Sequence, residues 1–524
     1  MSDALDRGIT VTEIAPMGQS IDAFAETTAA FVGRALRGPL NTPVLIENFA
    51  AFRHRFGNTW HRSSLGPAVR QFFDHGGRKL HIVRVANNAR GAMICLPSSG
   101  GMLVLKALEP GSTENIRAAV DYDGIADDEH FNLTVQRISP DSGLVADQEI
   151  YLRLTCREDG RSFIGDALLV SSLVRARTPL PAGRPASTTR PGVDFASAYV
   201  GHAQEGDDGI ALSDYDLVGS AVDSIGLFAL DKVDHFDLLY LPPAARHQDL
   251  GPAVILAAEL YCRKRGAMLI MDPQEDWESA REAIAGVRDF GLASPNIVGY
   301  YPRMVANDDD EKLAHPAGGA LAGLLCKLDR RQGPWQELDQ RGFGFNQKLV
   351  PEMEITIGEA QMLVREGINV IAGRIGGRAT LCGSVTLGRA SQIDRNFASL
   401  TVRRLCLSIT NAIERAIRWA VFEPNETRVA ERIHAQVHAY MTSLASTGAF
   451  EDSNFVVQCD AGLHTHPVDP HRGVTVLLAF HPSGASDTVS LTLHQTASGC
   501  RVASTAFAPV EIGDCPRMGT VPCS

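Results

Sequence analysis

Apolar positions along this chain change their period several times, and the changes mark out its organisation. From residue 237 the pattern is an apolar run at 237–241 ended by Pro242 and Pro243, a helical stretch over about 249–265, a run at 267–271, a helix over 275–290 and a third run at 296–301. Strand, helix, strand, helix, strand at this spacing predicts a parallel sheet with right-handed crossovers. A smaller αβ unit precedes it. Runs at 28–33 and 43–46 read as strands, and Ser63 or Ser64 caps a helix with Leu65, Val69, Phe72 and Phe73 on one face. Gly76 and Gly77 stop that helix, and 79–85 reads as a further strand. From about 87 to 207 helical periodicity fades. Residues 131–135 and 150–154 alternate as half-buried strands, and Pro179, Pro181, Pro185 and Pro191 crowd 178–192, a composition that predicts an exposed linker or extended loop.

Two amphipathic helices open the C-terminal third. Val402, Leu405, Ile409, Ile413, Ile417 and Ala420 form one apolar stripe, and Val429, Ile433, Val437, Met441 and Leu444 form the other, with Pro424 and Asn425 between them as stop and cap. A β segment at 473–480 leads to the cleanest period-2 pattern in the chain: Val489, Leu491 and Leu493 alternate with Thr488, Ser490, Thr492 and His494. At the other end Ile9, Thr10, Val11, Thr12, Glu13 and Ile14 form a short β-prone segment set apart by small and polar residues. An isolated strand is not stable alone, so it must add to some sheet. The expected class is therefore α/β, with an N-terminal strand arm at 1–20 and a parallel-sheet core from 21–90 and 208–340. A β-rich inserted domain at 91–207, an α+β domain at 341–482 and a C-terminal strand arm and tail at 483–524 complete it.

Composition adds boundaries to this picture. At 524 residues, about three domains are expected from about 150 residues each. The 44% apolar and 21% charged content is that of a globular protein, and a formal charge of −12 argues against a nucleic-acid binder relying on overall attraction to phosphate. Ten cysteines are scattered without a CxxC, mostly inside apolar runs, which fits a reducing compartment. The chain shows no basic start followed by an apolar stretch and no run of about 18 apolar residues, so neither a signal peptide nor a membrane span is expected.

Candidate chemistry is sparse. Gly318, Gly319 and Gly323 resemble a phosphate loop only superficially, since they follow a loop and lack a Lys-Ser/Thr; close helix packing is the expectation. Cys459, His464, His466 and His471 match no common structural zinc spacing, so no metal or cofactor is expected. Asp272 reads as a strand-ending turn, Asp231, Asp234 and Asp237 lie at the entry side of their strand, and no Gly-x-Ser-x-Gly elbow occurs. An α/β hydrolase-like enzyme therefore stands only as an alternative without a catalytic set. Between 395 and 432 seven arginines (Arg395, Arg403, Arg404, Arg415, Arg418, Arg428, Arg432) against four glutamates give +3 locally. This suggests either a solvated face or an acidic partner surface.

Ordered blocks along the chain resemble the contractile tail sheath proteins of phage tails, tailocins and extracellular contractile injection systems. They are 28–35 (TAAFVGRA) with Gly38 and Pro39, 43–46 (PVLI), Phe52, Phe56 and Gly57, 68–77 (AVRQFFDHGG) and 82–85 (IVRV). They continue at 236–242 (FDLLYLP), 316–324 (PAGGALAGL), 329–335 (DRRQGPW), 366–369 (EGIN), 402–405 (VRRL) and 419–425 (WAVFEPN), covering about 9–495 apart from the insertion. Cys382-Gly383 departs from the family's usual Trp-Gly, and 508–524 reads as an added tail. The resemblance implies a non-enzymatic subunit with a subtilisin-like core fold and no Asp-His-Ser protease set. It implies a homo-oligomeric helical sheath around an inner tail tube protein, with baseplate and tail terminator proteins as further partners, and with no nucleic acid, membrane insertion or cofactor. Such a subunit is assembled in the cytoplasm and ends in a phage tail or phage-tail-like particle. It further implies intersubunit strands: Ile9, Thr10, Val11, Thr12, Glu13 and Ile14 at one end, Thr488, Val489, Ser490, Leu491, Thr492 and Leu493 at the other. Arg403, Arg404, Arg415 and Arg418 are the candidates to face an acidic tube, and the 91–207 insertion is expected to project outward.

Overall fold

The computed structural model describes residues 21–22, 25–140, 142–188, 198–245, 248–306, 314–338, 343–346, 349–375, 378–390, 395–422, 427–459, 473–496 and 499–504. The chain divides into two compact units, one of residues 27–328 with 338–391, the other of 1–26, 329–337 and 392–524.

The larger unit is built on an eight-stranded sheet. Its six central strands run parallel in the spatial order Ile368–Ile375, Ile297–Tyr301, Met268–Met271, Leu238–Tyr240, Ala29–Gly33 and Leu80–Arg84. Arg378–Cys382 and Val44–Ile46 close the two edges antiparallel. Parallel strands are joined by crossovers that cover both faces, so the strands read as continuous apolar runs; Ala29–Gly33 and Ile297–Tyr301 are buried at every position. Alternation along Ala29–Gly33 splits the two layers. Ala30 and Val32 enter a core with Val254, Ile255 and Ala258 of helix Pro252–Arg265, Ala283 and Val287 of helix Ala280–Asp289, and Leu363 of helix Ile357–Arg365. Phe31 points the other way, edge-on to Phe72 of helix Leu65–Asp74 at 5.6 Å and to Tyr240 at 5.1 Å.

That second layer is where the glycines of 318–323 belong. A Cβ on Gly319 would sit 2.4 Å from the Ala68 carbonyl oxygen, and one on Gly323 would sit 2.3 Å from that of Phe72. Helix Gly318–Gln332 therefore lies directly against helix Leu65–Asp74, and the glycines are there for contact between backbones.

Residues 341–391 do not belong to the C-terminal domain, as the sequence had suggested. Thr356 and Glu359 form a capping box that starts helix Ile357–Arg365, and Ile368–Ile375 then pairs parallel with Ile297–Tyr301. This is one more αβ repeat of the core.

Two three-stranded antiparallel sheets make up the insertion: Met93–Ser98, Gly101–Ala107 and Val174–Ala176, and Asn115–Asp121, Phe131–Ile138 and Val145–Leu154. They enclose their own core of Ile94, Leu96, Leu103, Leu105, Phe131, Leu133 and Val135. The proline-rich stretch is not a free linker over its described part. Pro181 and Pro185 are buried, the Thr188 N–H donates to the Val120 carbonyl at 2.8 Å, and Arg184 lies 3.9 Å over the Tyr122 ring, so the segment straps both sheets.

The chain enters and leaves this insertion side by side, through bridges Asn87–Ile210, Arg90–Asp207 and Met93–Gln204. Below them Arg84, fully enclosed, donates to the carbonyls of Ala35 (2.9 Å), Gly38 (2.7 Å) and Leu36 (3.1 Å); burial lowers its pKa to about 10. Buried Glu109 pairs with Arg55 and Arg137, and Arg137 also holds Glu114 at 2.6 Å. Gly111, at φ +143°, lets the insertion's backbone approach the Leu36 carbonyl.

The smaller unit packs helices Leu400–Ile417 and Thr427–Ser446 on a four-stranded antiparallel sheet in the order Phe450–Gln458, Val474–Pro482, Val489–Thr496, Gly499–Ser504. Val476, Leu478, Phe480, Val489, Leu491 and Leu493 meet Val402, Leu405, Ile409, Ile413, Ile433 and Met441 in one core.

Gly319→Leu is expected to destabilise the larger unit by about 1–3 kcal/mol through overpacking against helix Leu65–Asp74. Gly358→Ala, at an open helical position, should be neutral or stabilise by about 0.5–1 kcal/mol. Thermal unfolding of both variants checks this pair; equal shifts would contradict the contact.

Candidate assembly surfaces

The cleanest strand pattern in the sequence folds at home. Thr488 precedes and Val489, Ser490, Leu491, Thr492 and Leu493 lie within Val489–Thr496, which is bonded on one side to Val474–Pro482 and on the other to Gly499–Ser504. The expectation of a free donated arm at these residues is corrected by that pairing. Its physical reason is that the apolar face of Val489, Leu491 and Leu493 finds a complete core on the chain's own two helices. Period-2 alternation identifies a buried face but not the chain that buries it. Among the described residues the open ladder of this sheet instead lies on its edge strands, Phe450–Gln458 and Gly499–Ser504. On Phe450–Gln458 the exposed run Glu451, Asp452, Ser453 and Asn454 blunts the edge. On Gly499–Ser504, Val502 stands opposite buried Leu493 yet is 50% exposed, as no further strand pairs beside it among the described residues. Gly499–Ser504 lies within the 483–524 arm and tail expected from the sequence, and its own signal there is slight: Cys500 and Val502 on either side of Arg501. Ile9, Thr10, Val11, Thr12, Glu13 and Ile14 lie outside the described residues.

The four arginines singled out on the helices separate by environment. Arg404 is buried and ion-paired with Asp329, the two side chains being 5% and 7% exposed, so its charge is neutralised inside the unit and cannot meet a tube. Arg403 lies 4.7 Å over the Phe397 ring, and Arg415 is half-buried. Arg418 is exposed and holds Glu414 at 3.3 Å, one helical turn back. Helical periodicity places residues on a face, but it does not mark which arginine has an internal carboxylate.

The acids at the sheet ends serve as fasteners. Asp272 follows the parallel strand Met268–Met271 and accepts from the Tyr240 hydroxyl at 2.5 Å and from the Gly318 N–H at 3.0 Å, tying a strand end to the start of helix Gly318–Gln332. Burial pushes its carboxyl up to about 6 and the Tyr240 hydroxyl well above its ordinary value. Arg303 pairs with Asp249 and donates to the Pro273 carbonyl at 2.9 Å. Asp231 accepts from Tyr261 at 2.8 Å, and Asp237 accepts from the Thr28 N–H at 2.8 Å. Each of these carboxylates, at either end of the strands, is engaged in holding backbone or a neighbouring side chain.

Cys459 is buried, while His464, His466 and His471 lie outside the described residues. Among the described residues no cluster of three or more His, Cys, Asp or Glu side chains is arranged to hold a metal, and no helix is long and apolar enough to cross a membrane. The described cysteines are free thiols, and burial pushes Cys406 and Cys500 up to about 12.

The α/β unit with its β-rich insertion and the unit of two helices on an antiparallel sheet have counterparts in fold among solved sheath proteins. A sheath tail protein from Listeria innocua superposes with a TM-score of 0.62 at 12% identity, over 91% of this chain and 97% of that one. A sheath tail protein from Desulfitobacterium hafniense gives 0.55 at 13% identity over 93% and 100%. The helical sheath of the anti-feeding prophage in its contracted state gives 0.53 at 15% over 93% and 98%. In sequence, residues 392–486 match the phage tail sheath C-terminal domain. The tail sheath protein of Vibrio phage KVP40 is 29% identical over 167 residues, which are 31% of this chain and 24% of that relative's length. Residues 392–486 thus match a sheath domain in sequence, and the fold of the chain as a whole is similar to that of solved sheath proteins.

Two outcomes follow for these residues. The Asp272 carboxyl is raised from about 3.8 to about 6, so the stabilisation of its neutral form is complete below about pH 4 and is lost as pH rises through 6. That rise corresponds to about 3 kcal/mol. Asp272→Asn, which keeps an acceptor for the Gly318 N–H without a charge to bury, should flatten the pH dependence of unfolding between pH 4 and 7. An unchanged profile would assign that dependence to other groups. Leu491→Pro removes a ladder donor from an interior strand and should unfold the smaller unit, at about 3 kcal/mol or more, which loss of its near-native circular dichroism would report.

Proposed function

We propose that this chain is the structural subunit of a contractile tail sheath, polymerising helically around an inner tube and shortening to drive that tube through a target envelope. The observation that carries the reading is the phage tail sheath C-terminal domain at 392–486 within a chain whose whole fold follows sheath proteins. Two of the similar structures are sheaths in the contracted state: the anti-feeding prophage helical sheath and the sheath complex of an extracellular contractile injection system. The subunit's work is mechanical, without catalysis.

Assembly in this reading uses β-augmentation. Ile9, Thr10, Val11, Thr12, Glu13 and Ile14 leave their own body and add to a neighbour's smaller unit, where the open edge at Gly499–Ser504 and half-exposed Val502 offer a ladder. Burying Ile9, Val11 and Ile14 contributes about 1.5–3 kcal/mol each, and ladder bonds about 0.5–1.5 kcal/mol each. These only modestly exceed an ordering cost of about 1–2 kcal/mol per residue. Such contacts join unlike surfaces and propagate as stacked rings or helices. Contraction is then a rigid-body repacking of subunits whose mesh stays linked. The insertion projects outward, the core shares the subtilisin-like layout, and Arg415 and Arg418 meet an acidic tube. Baseplate and tail terminator proteins bound the polymer, which is assembled in the cytoplasm and becomes part of a phage tail or phage-tail-like particle.

Electron microscopy of the purified chain should show tubes or rings. Removing residues 1–16 should leave a folded, soluble subunit that forms neither, and an arm-deleted chain that still polymerised would overturn strand exchange. Charge reversal at Arg415 and Arg418 should weaken assembly on the tube, as should raised salt with the wild type; unchanged assembly would leave those two arginines as solvated surface.

A further inference from the structure

Both ring nitrogens of His75 are committed, and their partners fix which one carries the hydrogen. His75 caps the C-terminus of helix Leu65–Asp74 and is 5% exposed. Its Nδ1 lies 2.7 Å from the Gln71 carbonyl oxygen, one turn back in the same helix. A carbonyl only accepts, so Nδ1 holds the hydrogen and donates it. Its Nε2 accepts from the Asn346 backbone N–H at 3.0 Å, across 271 positions of chain. A backbone N–H only donates, so Nε2 carries a free lone pair. The ring is therefore neutral, and a second proton has one place to go, the atom on which Asn346 depends.

The surroundings resist that proton. Phe345 meets the imidazole edge-on at 5.9 Å, and both Phe343 and Phe345 are buried. On the facing helix Gly318–Gln332, a Cβ at Gly323 would stand 3.1 Å from the His75 Cβ, so the space on that side is closed. The charges that reach the ring are Asp74 on its own helix and Lys327 on the facing one, and residues 343–346 supply none. Asp74 is half exposed and shared with Arg70 at 3.9 Å, while Lys327 stands 5.5 Å over the Phe343 ring. The Gln71 carbonyl and Asp74 favour a charged ring and Lys327 opposes it. Burial, the largest influence, holds the pKa below its ordinary 6.5.

The place of this contact in the chain gives it a consequence. Residues 329–337 belong to the smaller unit, and the chain passes from them through 343–346 into Leu349–Pro351 and helix Ile357–Arg365 of the larger one. His75 holds the chain where the larger unit takes it up again.

We propose that His75 is a proton-operated latch on residues 343–346: the neutral ring holds the segment on the larger unit, and protonation at Nε2 releases it. The proton turns an acceptor into a second N–H, so the Asn346 N–H loses its partner and a charge is left among Phe343 and Phe345. Both costs disappear when the segment lifts and water reaches the ring. Because the ring is harder to protonate in place than free, the segment is fully held above about pH 6.5 and progressively less held below it. Asp272 takes up its proton at about 6 but gains stability by doing so, the opposite direction, so it does not imitate the effect. Release adds these residues to the connection between the two units. The latch stands on the fold and does not depend on the sheath reading.

Hydrogen exchange of the full chain at about pH 7.5 and about pH 5 tests it, on peptides covering 343–346 and corrected for the intrinsic pH dependence of exchange. In the wild type, protection of this segment should fall roughly tenfold or more at the lower pH, while strand Leu80–Arg84 stays protected. His75→Gln, which offers Asn346 an uncharged acceptor, should keep the segment protected at both. His75→Phe, which keeps an aromatic ring without the acceptor, should leave it open at both. Wild-type protection that is the same at both pH values would overturn the proposal. So would an equal loss in His75→Gln, which would assign the release to another group. If His75→Phe does not fold, the wild type and His75→Gln still decide.

Discussion

A parallel sheet has to be covered on both faces, and most of the larger unit follows from that requirement. Six parallel strands present buried side chains above and below, so each crossover helix must bring an apolar face to the sheet. On one side the demand is met by bulk, with Val254, Ile255, Ala283, Val287 and Leu363 packed over Ala30 and Val32. On the other it is met by proximity, where Gly319 and Gly323 bring one helix backbone against another above Phe31 and Phe72. Asp272 ties the glycine-bearing helix to the strand ends by holding Tyr240 and the first N–H of that helix. A carboxylate is kept there at an electrostatic cost because both donors would otherwise be buried without a partner.

The insertion depends on a different interaction. A β domain hung from two strands could swing, but the joint beneath it is a buried polar lattice: Arg84 wrapped by three carbonyls, and Glu109 shared by Arg55 and Arg137. Buried charges of this kind tolerate few alternative geometries, since any movement leaves a desolvated ion without its partner. The strap of 178–188 across both sheets works in the same direction. The insertion and the parallel-sheet core of the larger unit are thereby held as one body.

The smaller unit poses the opposite problem, because an antiparallel sheet ends in edges. Its inner strands are satisfied, and among the described residues the unpaired ladder falls on Phe450–Gln458 and Gly499–Ser504. The first is blunted by acidic and polar side chains, while the second carries a half-exposed valine. A fold that leaves one edge unprotected is open to added strands, which makes the difference between the two edges more informative than the core itself.

The residues alone determined a good deal: the succession of parallel strands and crossovers from 237 to 301, the two amphipathic helices after 400, the β character of 91–207 and the resemblance to sheath proteins, which the match at 392–486 bears out. These are legible because periods of 2 and 3.6 and glycine-rich stops are local properties. Tertiary structure decided what depends on partners distant in the chain. It assigned Ile368–Ile375 to the core sheet, although its only neighbour among the parallel strands is almost seventy residues earlier. It folded 178–188 onto the insertion, because buried prolines and a bridging arginine outweighed a linker-like composition. It took Arg404 out of the surface by supplying Asp329, and it closed Val489–Thr496 into its own sheet by supplying strands on both sides. In each case the local pattern showed what a segment requires, a buried face or a counter-charge, and only the folded chain showed where that requirement is met.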